Sequence, residues 1–198
     1  MKSMTRAYEL KRRAERQADT RRRIVEATIE LHQTIGPNAT SMADIAERAQ
    51  VGRVTVYRHF PDEPTLALAC SGLYLQRHPP PAPTAWEAIE EPAARLRAGL
   101  RETYAYHGET EAMFTRVLAD ARDNPVLDPY HAHWRRAADV LTKPWRLRGR
   151  RRTLLRAGIG LALSFDTWRT LRREQGLSDP QAVELMLRLA GDEARRAT

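Results

Sequence analysis

Residues 41–60 read SMADIAERAQVGRVTVYRHF, and their spacing decides the fold. Ser41 stands as an N-cap, and Asp44 three residues on completes a variant of the capping box, with Asp in place of Glu or Gln. Ile45, Ala46 and Ala49 then fall on one face at helical spacing. Gly52 breaks the pattern, which suits the sharp bend of a helix-turn-helix. A second short helix follows over 53–59, with Val56 and Phe60 expected inside and Arg53, Val54, Thr55 and Arg58 outside. Those outward side chains suit a DNA major groove. Arginine pairs bidentately with guanine, threonine bonds a base edge, and valine touches a thymine methyl.

Composition agrees with an anionic partner. The 198 residues carry a net charge of +8, and 42% are hydrophobic, enough for a packed core. The excess is concentrated at the front. Residues 1–23 hold nine basic side chains (Lys2, Arg6, Lys11, Arg12, Arg13, Arg16, Arg21, Arg22, Arg23) against Glu9, Glu15 and Asp19. This stretch reads either as a solvated tail or as an arm that follows a DNA backbone or enters a minor groove. A single cysteine, Cys70, fits a reducing compartment, and its apolar setting predicts a buried small hydrophobe. No apolar run approaches membrane-spanning length and no signal core follows the basic N-terminus. A soluble cytoplasmic protein with no membrane partner is expected.

The stretch DIAERAQVGRVTVYRHFPDEPTL resembles the DNA-binding signature of the TetR family of transcriptional regulators: IAERA, a turn, T-x-Y-x-H-F and a following Leu fall in register. The resemblance implies that Arg53, Val54 and Thr55 face bases while Tyr57 and His59 hold phosphates. Arg58, Ser41 and Arg21, Arg22 and Arg23 complete the expected DNA-contacting set. Three positions depart from the family pattern. Gln50 stands where the turn usually has Gly, Gly52 where a Ser-like cap is usual, and Glu63 where a phosphate-binding Lys is common.

The rest of the chain reads as helices. Ile24, Thr28, Leu31 and Ile35 mark a first helix over about 20–35, ended by Gly36 and Pro37. A fourth runs from Pro61–Pro64 to about Arg77, and the run His78–Pro83 is a stiff connector. Beyond it, helices are expected near 85–107, 109–122, 126–142, 150–175 and 179–195, with breaks at Gly108, 123–125, Gly149 and 176–180. The fold class is therefore all-α. A flexible basic arm (1–19), a helix-turn-helix domain with its connecting helix (20–77) and a linker (78–83) precede a helical regulatory and dimerisation domain (84–198). The stretch 143–156 holds seven basic residues and no acid, a solvated loop and helix start or a second anion contact.

Residues 154–171 are the most apolar of the chain, and both this helix and the last look apolar over a wider arc than one core face needs. The surplus predicts a subunit interface through Leu155, Gly158, Ile159, Ala162, Ala182, Leu185, Met186 and Leu189. The resemblance implies the same, since the last two helices of TetR-family chains pair into a four-helix dimer bundle. It also implies a small-molecule effector between the central helices, for which Tyr104, Tyr106, His107, Met113, Phe114, Trp134, Phe165 and Trp168 are candidate lining residues. On the residue pattern alone, aromatic and Met residues at helical spacing are more often plain core than a binding site. No catalytic constellation, metal site or cofactor motif stands out, and His131-x-His133 points two ways on a helix. The expected function is that of a non-enzymatic repressor which binds a palindromic operator as a dimer and is released by a ligand. Two other readings compete with it: a ligand-binding or enzymatic helical protein that has lost DNA function, and a charge-driven, non-specific nucleic-acid binder.

Overall fold

A computed structural model of the protein describes the backbone of residues 2–195 and the side chains of residues 8–190. Met1 and the last three residues of the domain expected to reach Thr198 lie outside the described residues, as do the side chains of Lys2 and Arg6. Among the described residues the chain is all helical, without a strand. It divides into two compact units: residues up to Arg77 with Ala112–Val126, and His78–Glu111 with the chain from Leu127 on.

In the first unit, α1 spans Lys2–Thr34, α2 Met42–Arg48, α3 Arg53–His59 and α4 Glu63–Arg77. The first helix thus begins 18 residues before the expected Thr20, and residues 2–19 form no separate arm. Their Ala, Leu, Lys, Arg, Glu and Gln content has high intrinsic helix propensity, which carries the helix outward without an apolar stripe. From Ile24 onward α1 is anchored by burial. Ile24, Val25, Thr28 and Leu31 pack in a core with Met42 and Ile45 of α2, Val56 and Phe60 at α3, and Leu66, Cys70 and Tyr74 of α4. Cys70 is buried, and burial pushes its thiol up to about 12.

Gly36 ends α1 with φ +91°, and a Cβ there would lie 2.5 Å from the Asp120 carboxylate. That carboxylate accepts the Asn38 backbone N–H at 3.1 Å, so residues 112–126 close over this turn as part of the first unit.

In the second unit, Pro83–Trp86 forms one 3₁₀ turn, followed by α5 (Pro92–Ala121, of which 92–111 belong here), α6 (Asp128–Thr142), α7 (Gly149–Ala162), α8 (Phe165–Arg169) and α9 (Asp179–Arg195). Two expected boundaries are corrected. The segments 85–107 and 109–122 are one helix that starts later, at Pro92, and runs through Gly108. Glu91 caps its start by accepting the Ala93 and Ala94 N–H groups. A glycine costs a helix only about 1 kcal/mol, and burial of Leu100, Tyr104 and His107 in the preceding turns outweighs that. The segment 150–175 is instead broken at Leu163–Ser164. Ser164 caps α8 by accepting the Thr167 N–H at 3.1 Å, and a π turn at Thr170–Glu174 follows.

Arg95 is buried in this unit and donates to the carbonyls of Ile89 (2.6 Å), Glu87 (2.7 Å) and Val140 (3.4 Å). It satisfies the carbonyls of Glu87 and Ile89 in the loop before α5, which water would otherwise solvate. Gly99 permits the close crossing of α5 and α6, since a Cβ there would sit 2.8 Å from Leu141.

Candidate nucleic-acid interface

The geometry of α3 follows from its two ends. Ser41 and Asp44 form the capping box of α2, with Ser41 N–H donating at 2.8 Å to the carboxylate and Asp44 N–H donating at 3.2 Å to the hydroxyl. The Ser41 hydroxyl also donates to this carboxylate at 2.5 Å, and that bond first, then the Ser41 N–H, holds the Asp44 carboxyl below its usual range. At the other end of α2, Val51 N–H reaches Ala46 O at 2.9 Å and Gln50 N–H reaches Glu47 O at 3.0 Å. This is a Schellman motif, and Gln50 occupies its left-handed position with φ +54°. Gly52 is extended and serves as the N-cap of α3, without a side-chain bond. The left-handed residue of the turn is therefore Gln50, and Gly52 relaxes nothing.

Val56 and Phe60 have no exposed area and fix the rotation of α3 about its axis. That rotation leaves Val54 82% exposed and Tyr57 42% exposed, with Arg53 and Arg58 also exposed and Thr55 half-buried. The Arg53 guanidinium lies 5.9 Å from the Tyr57 ring centroid. His59 is half-buried; burial first, then the charges of Arg58 and Arg21, lowers its affinity for a proton. One helix face thus presents Arg53, Val54, Thr55, Tyr57 and Arg58 together.

The three arginines expected to reach phosphates from α1 all have partners within the fold. Arg21 stacks 4.4 Å from the Phe60 ring centroid, and Arg22 pairs with Asp19 at 2.8 Å. Arg23 donates to the Ala49 and Gln50 carbonyls and so completes the end of α2. The Ser41 hydroxyl is engaged as a cap. Arg13 and Arg16, which sequence reasoning did not single out from the rest of the arm, face Arg58 and His59 across a concave surface.

The effector candidates separate. Met113 and Phe114 belong to the first unit, where Phe114 meets Tyr74 edge-on at 6.3 Å. Tyr104, Tyr106, His107, Trp134, Phe165 and Trp168 belong to the second, and His107 is central there, with ring centroids of Trp134, Phe165 and Trp168 at 5.3, 5.5 and 5.7 Å. Breaking the helix at Leu163 frees backbone carbonyls. Tyr104 donates its hydroxyl to Ala162 O at 3.1 Å, and His107 Nε2 lies 3.0 Å from Leu163 O, which makes Nε2 the protonated nitrogen. Burial pushes the His107 pKa down to about 4. Its Nδ1 and the Trp134 Nε1 are buried without a hydrogen-bond partner.

The expected interface residues divide likewise. Leu155, Ile159, Ala162, Ala182 and Met186 are buried within the chain's own core, which corrects their assignment to a surface. Gly158, Leu185 and Leu189 are exposed, as are Leu154, Ala157 and Leu161. The outward apolar stripe is therefore rotated along α7 to 154, 157, 158 and 161, because the residues at the next positions of each turn fill the bundle.

His131 packs on Tyr130 at 5.4 Å and His133 on Trp134 at 4.9 Å, and no group of three metal-ligating side chains occurs among the described residues. None of the helices described is long and apolar enough to cross a membrane.

A capped helix-turn-helix with an exposed recognition-helix face and an adjoining basic surface is the framework of a DNA-binding domain. Residues 24–70 match the model of bacterial regulatory proteins, tetR family, so this part of the chain is a DNA-binding domain of the TetR type. No curated protein matches the chain. Among solved structures, a TetR-like transcriptional regulator from Rhodococcus sp. RHA1 is 16% identical with a TM-score of 0.62, over 86% of this chain and 93% of that one. AibR, in complex with isovaleryl coenzyme A and operator DNA, is 18% identical with a TM-score of 0.61, over 85% and 96%. RolR, in complex with resorcinol, is 20% identical with a TM-score of 0.52, over 93% and 96%. At these identities the likeness shows the shared fold.

Proposed function

We propose that the chain is a homodimeric repressor that reads a short palindromic operator through α3 and is released from it by a small molecule bound in the second unit. The observation that carries this reading is the rotation of α3: fully buried Val56 and Phe60 pin a face on which Arg53, Val54 and Thr55 project together. Base contacts from these three would specify the site, and Tyr57, Arg58 and His59 would set the register on phosphates. The domain from 20 to 77 then reads DNA, 84–198 regulates and dimerises, and the protein works in the cytoplasm.

The exposed apolar stripe of Leu154, Ala157, Gly158 and Leu161 on α7, with Leu185 and Leu189 on α9, supports a two-fold dimer. Such a dimer presents two recognition helices to grooves about 34 Å apart. The buried Nδ1 of His107 and the Nε1–H of Trp134 support a ligand there, since one small molecule with both a donor and an acceptor would satisfy them. The complexes of AibR and RolR with small molecules favour the same arrangement. Release is a population shift, and the ligand must bind the DNA-competent and incompetent states with different affinity.

Selection from a random duplex library at near-physiological salt tests the reading. An inverted repeat with half-sites one helical turn apart is expected. Recovery of bound duplexes with no shared sequence would replace it with charge-driven binding. Failure to bind any duplex, with and without candidate effectors, would leave only a ligand-binding role.

A further inference from the structure

We propose that the extension of α1 and the end of α3 form a seat for one backbone phosphate of DNA, with Arg13, Arg16 and Arg58 as its cationic walls. This rests on the DNA-binding reading and assigns a clamp to residues ahead of the helix-turn-helix. The pocket measures about 290 Å³ and is lined by Arg13, Arg16, Gln17, Thr20, Arg58 and His59. Positions 13, 16, 17 and 20 follow the i, i+3, i+4, i+7 rule and so share one face of α1. That face meets the last two residues of α3.

The charge of this pocket is uncompensated. No acid lines it, and among the described residues none of Arg13, Arg16 and Arg58 makes an ion pair. Elsewhere in the same unit arginines are neutralised locally, as Arg22 is by Asp19, Arg48 by Glu30 and Arg77 by Glu26. Like charges gathered round a concavity repel unless an anion enters, and a phosphodiester offers one negative charge with oxygens that guanidinium groups grip in bidentate fashion. Gln17 adds a neutral donor. The Thr20 hydroxyl is already spent on Arg16 O at 2.9 Å, so its oxygen remains as an acceptor only.

A DNA phosphate is the occupant that the placement favours. Arg58 is three residues, about 4.5 Å of helix rise, beyond Thr55 on the base-reading helix, so the seat lies at the edge of the groove which α3 would enter. Glu63, exposed at the start of α4, cannot hold a phosphate there. The extended α1 brings Arg13 and Arg16 to the end of α3 instead.

The test is a salt titration of the full chain and of an Arg13→Gln/Arg16→Gln variant, on the selected operator and on random duplex of equal length. Gln keeps helix propensity, and circular dichroism checks the fold. The slope of log K against log salt is expected to flatten by about 1 for the lost phosphate, so wild type loses about three- to fourfold more affinity than the variant between 50 and 200 mM. The loss should be equal on both duplexes. An Arg148→Gln/Arg150→Gln control removes two charges from the second unit and should leave the slope unchanged. An unchanged slope in the Arg13/Arg16 variant, or an equal change in the control, would overturn the seat while leaving sequence-specific binding by wild type intact. Wild type that binds no duplex would remove the DNA-binding reading and the seat together. A methylphosphonate scan of the operator adds a check: at one linkage the loss of charge should cost wild type more affinity than it costs the Arg13→Gln/Arg16→Gln variant, and equal costs at every linkage would refute the seat.

Discussion

Gln50→Gly should stabilise this protein, although it removes a side chain and adds none. Gln50 holds φ +54° at the left-handed position of the Schellman motif that ends α2, with its own N–H bonded to Glu47 O at 3.0 Å. The left-handed region costs an L residue about 1–2 kcal/mol, whereas glycine enters it freely but carries about 0.5–1 kcal/mol more unfolded-chain entropy. The difference favours glycine by about 0.5–1 kcal/mol. Little opposes this gain, because the Gln50 side chain is exposed and makes no hydrogen bond among the described residues. Denaturant unfolding followed by helical circular dichroism, at matched protein concentration, should show a higher midpoint at unchanged slope. In a thermal melt the gain corresponds to about 1–4 °C for a chain of this size. Gln50→Ala keeps the strained backbone and loses the side chain, so it should be neutral or slightly destabilising. If Gln50→Gly were no more stable than wild type, the strain assignment would fail. If Gln50→Ala gained as much as Gln50→Gly, the side chain and not the backbone would be the unfavourable element.

Gly36→Ala should act with the opposite sign, lowering stability by about 1–2 kcal/mol from backbone strain alone, with more from the contact at 2.5 Å to Asp120; an unchanged denaturation midpoint would count against it. Thr55→Ala or Arg53→Ala should weaken operator binding by about 1–3 kcal/mol per lost base contact and leave random duplex unaffected; equal loss on both would reassign that residue to the phosphates. Stability should also fall in acid through His107. Its folded pKa of about 4 lies below the ordinary histidine value of 6.5, so its contribution is complete above about pH 6.5 and is lost as pH falls toward 4. The ceiling is about 3 kcal/mol, and His32, His59 and His133 shift in the same direction. His107→Gln keeps an N–H for Leu163 O and should flatten the decline between pH 6.5 and 4; an unaltered decline would exclude His107 as its source.

The sequence by itself determined what depends on neighbours within about four residues. The capping box at Ser41 and Asp44, the extent of α3 and the inward pair Val56 and Phe60 are set by local bonds and period, and all are found. The outward placement of Arg53, Val54 and Arg58 likewise follows from the period of α3 and is found. Tertiary structure decided the rest. Whether Gly108 breaks a helix depends on the burial of the turns before it, and whether 150–175 is one helix depends on Tyr104 and His107 taking the freed carbonyls. The two apolar arcs of α7 and α9 are alike in composition. Only packing shows that Leu155 and Ile159 fill the core while Leu154 and Leu161 remain outside. The basic residues of α1 look interchangeable in sequence, yet Arg21, Arg22 and Arg23 are spent on Phe60, Asp19 and the end of α2, whereas Arg13 and Arg16 line one pocket with Arg58. Period assigns a residue to a face of its own helix, and only the partner across that face determines what the residue does.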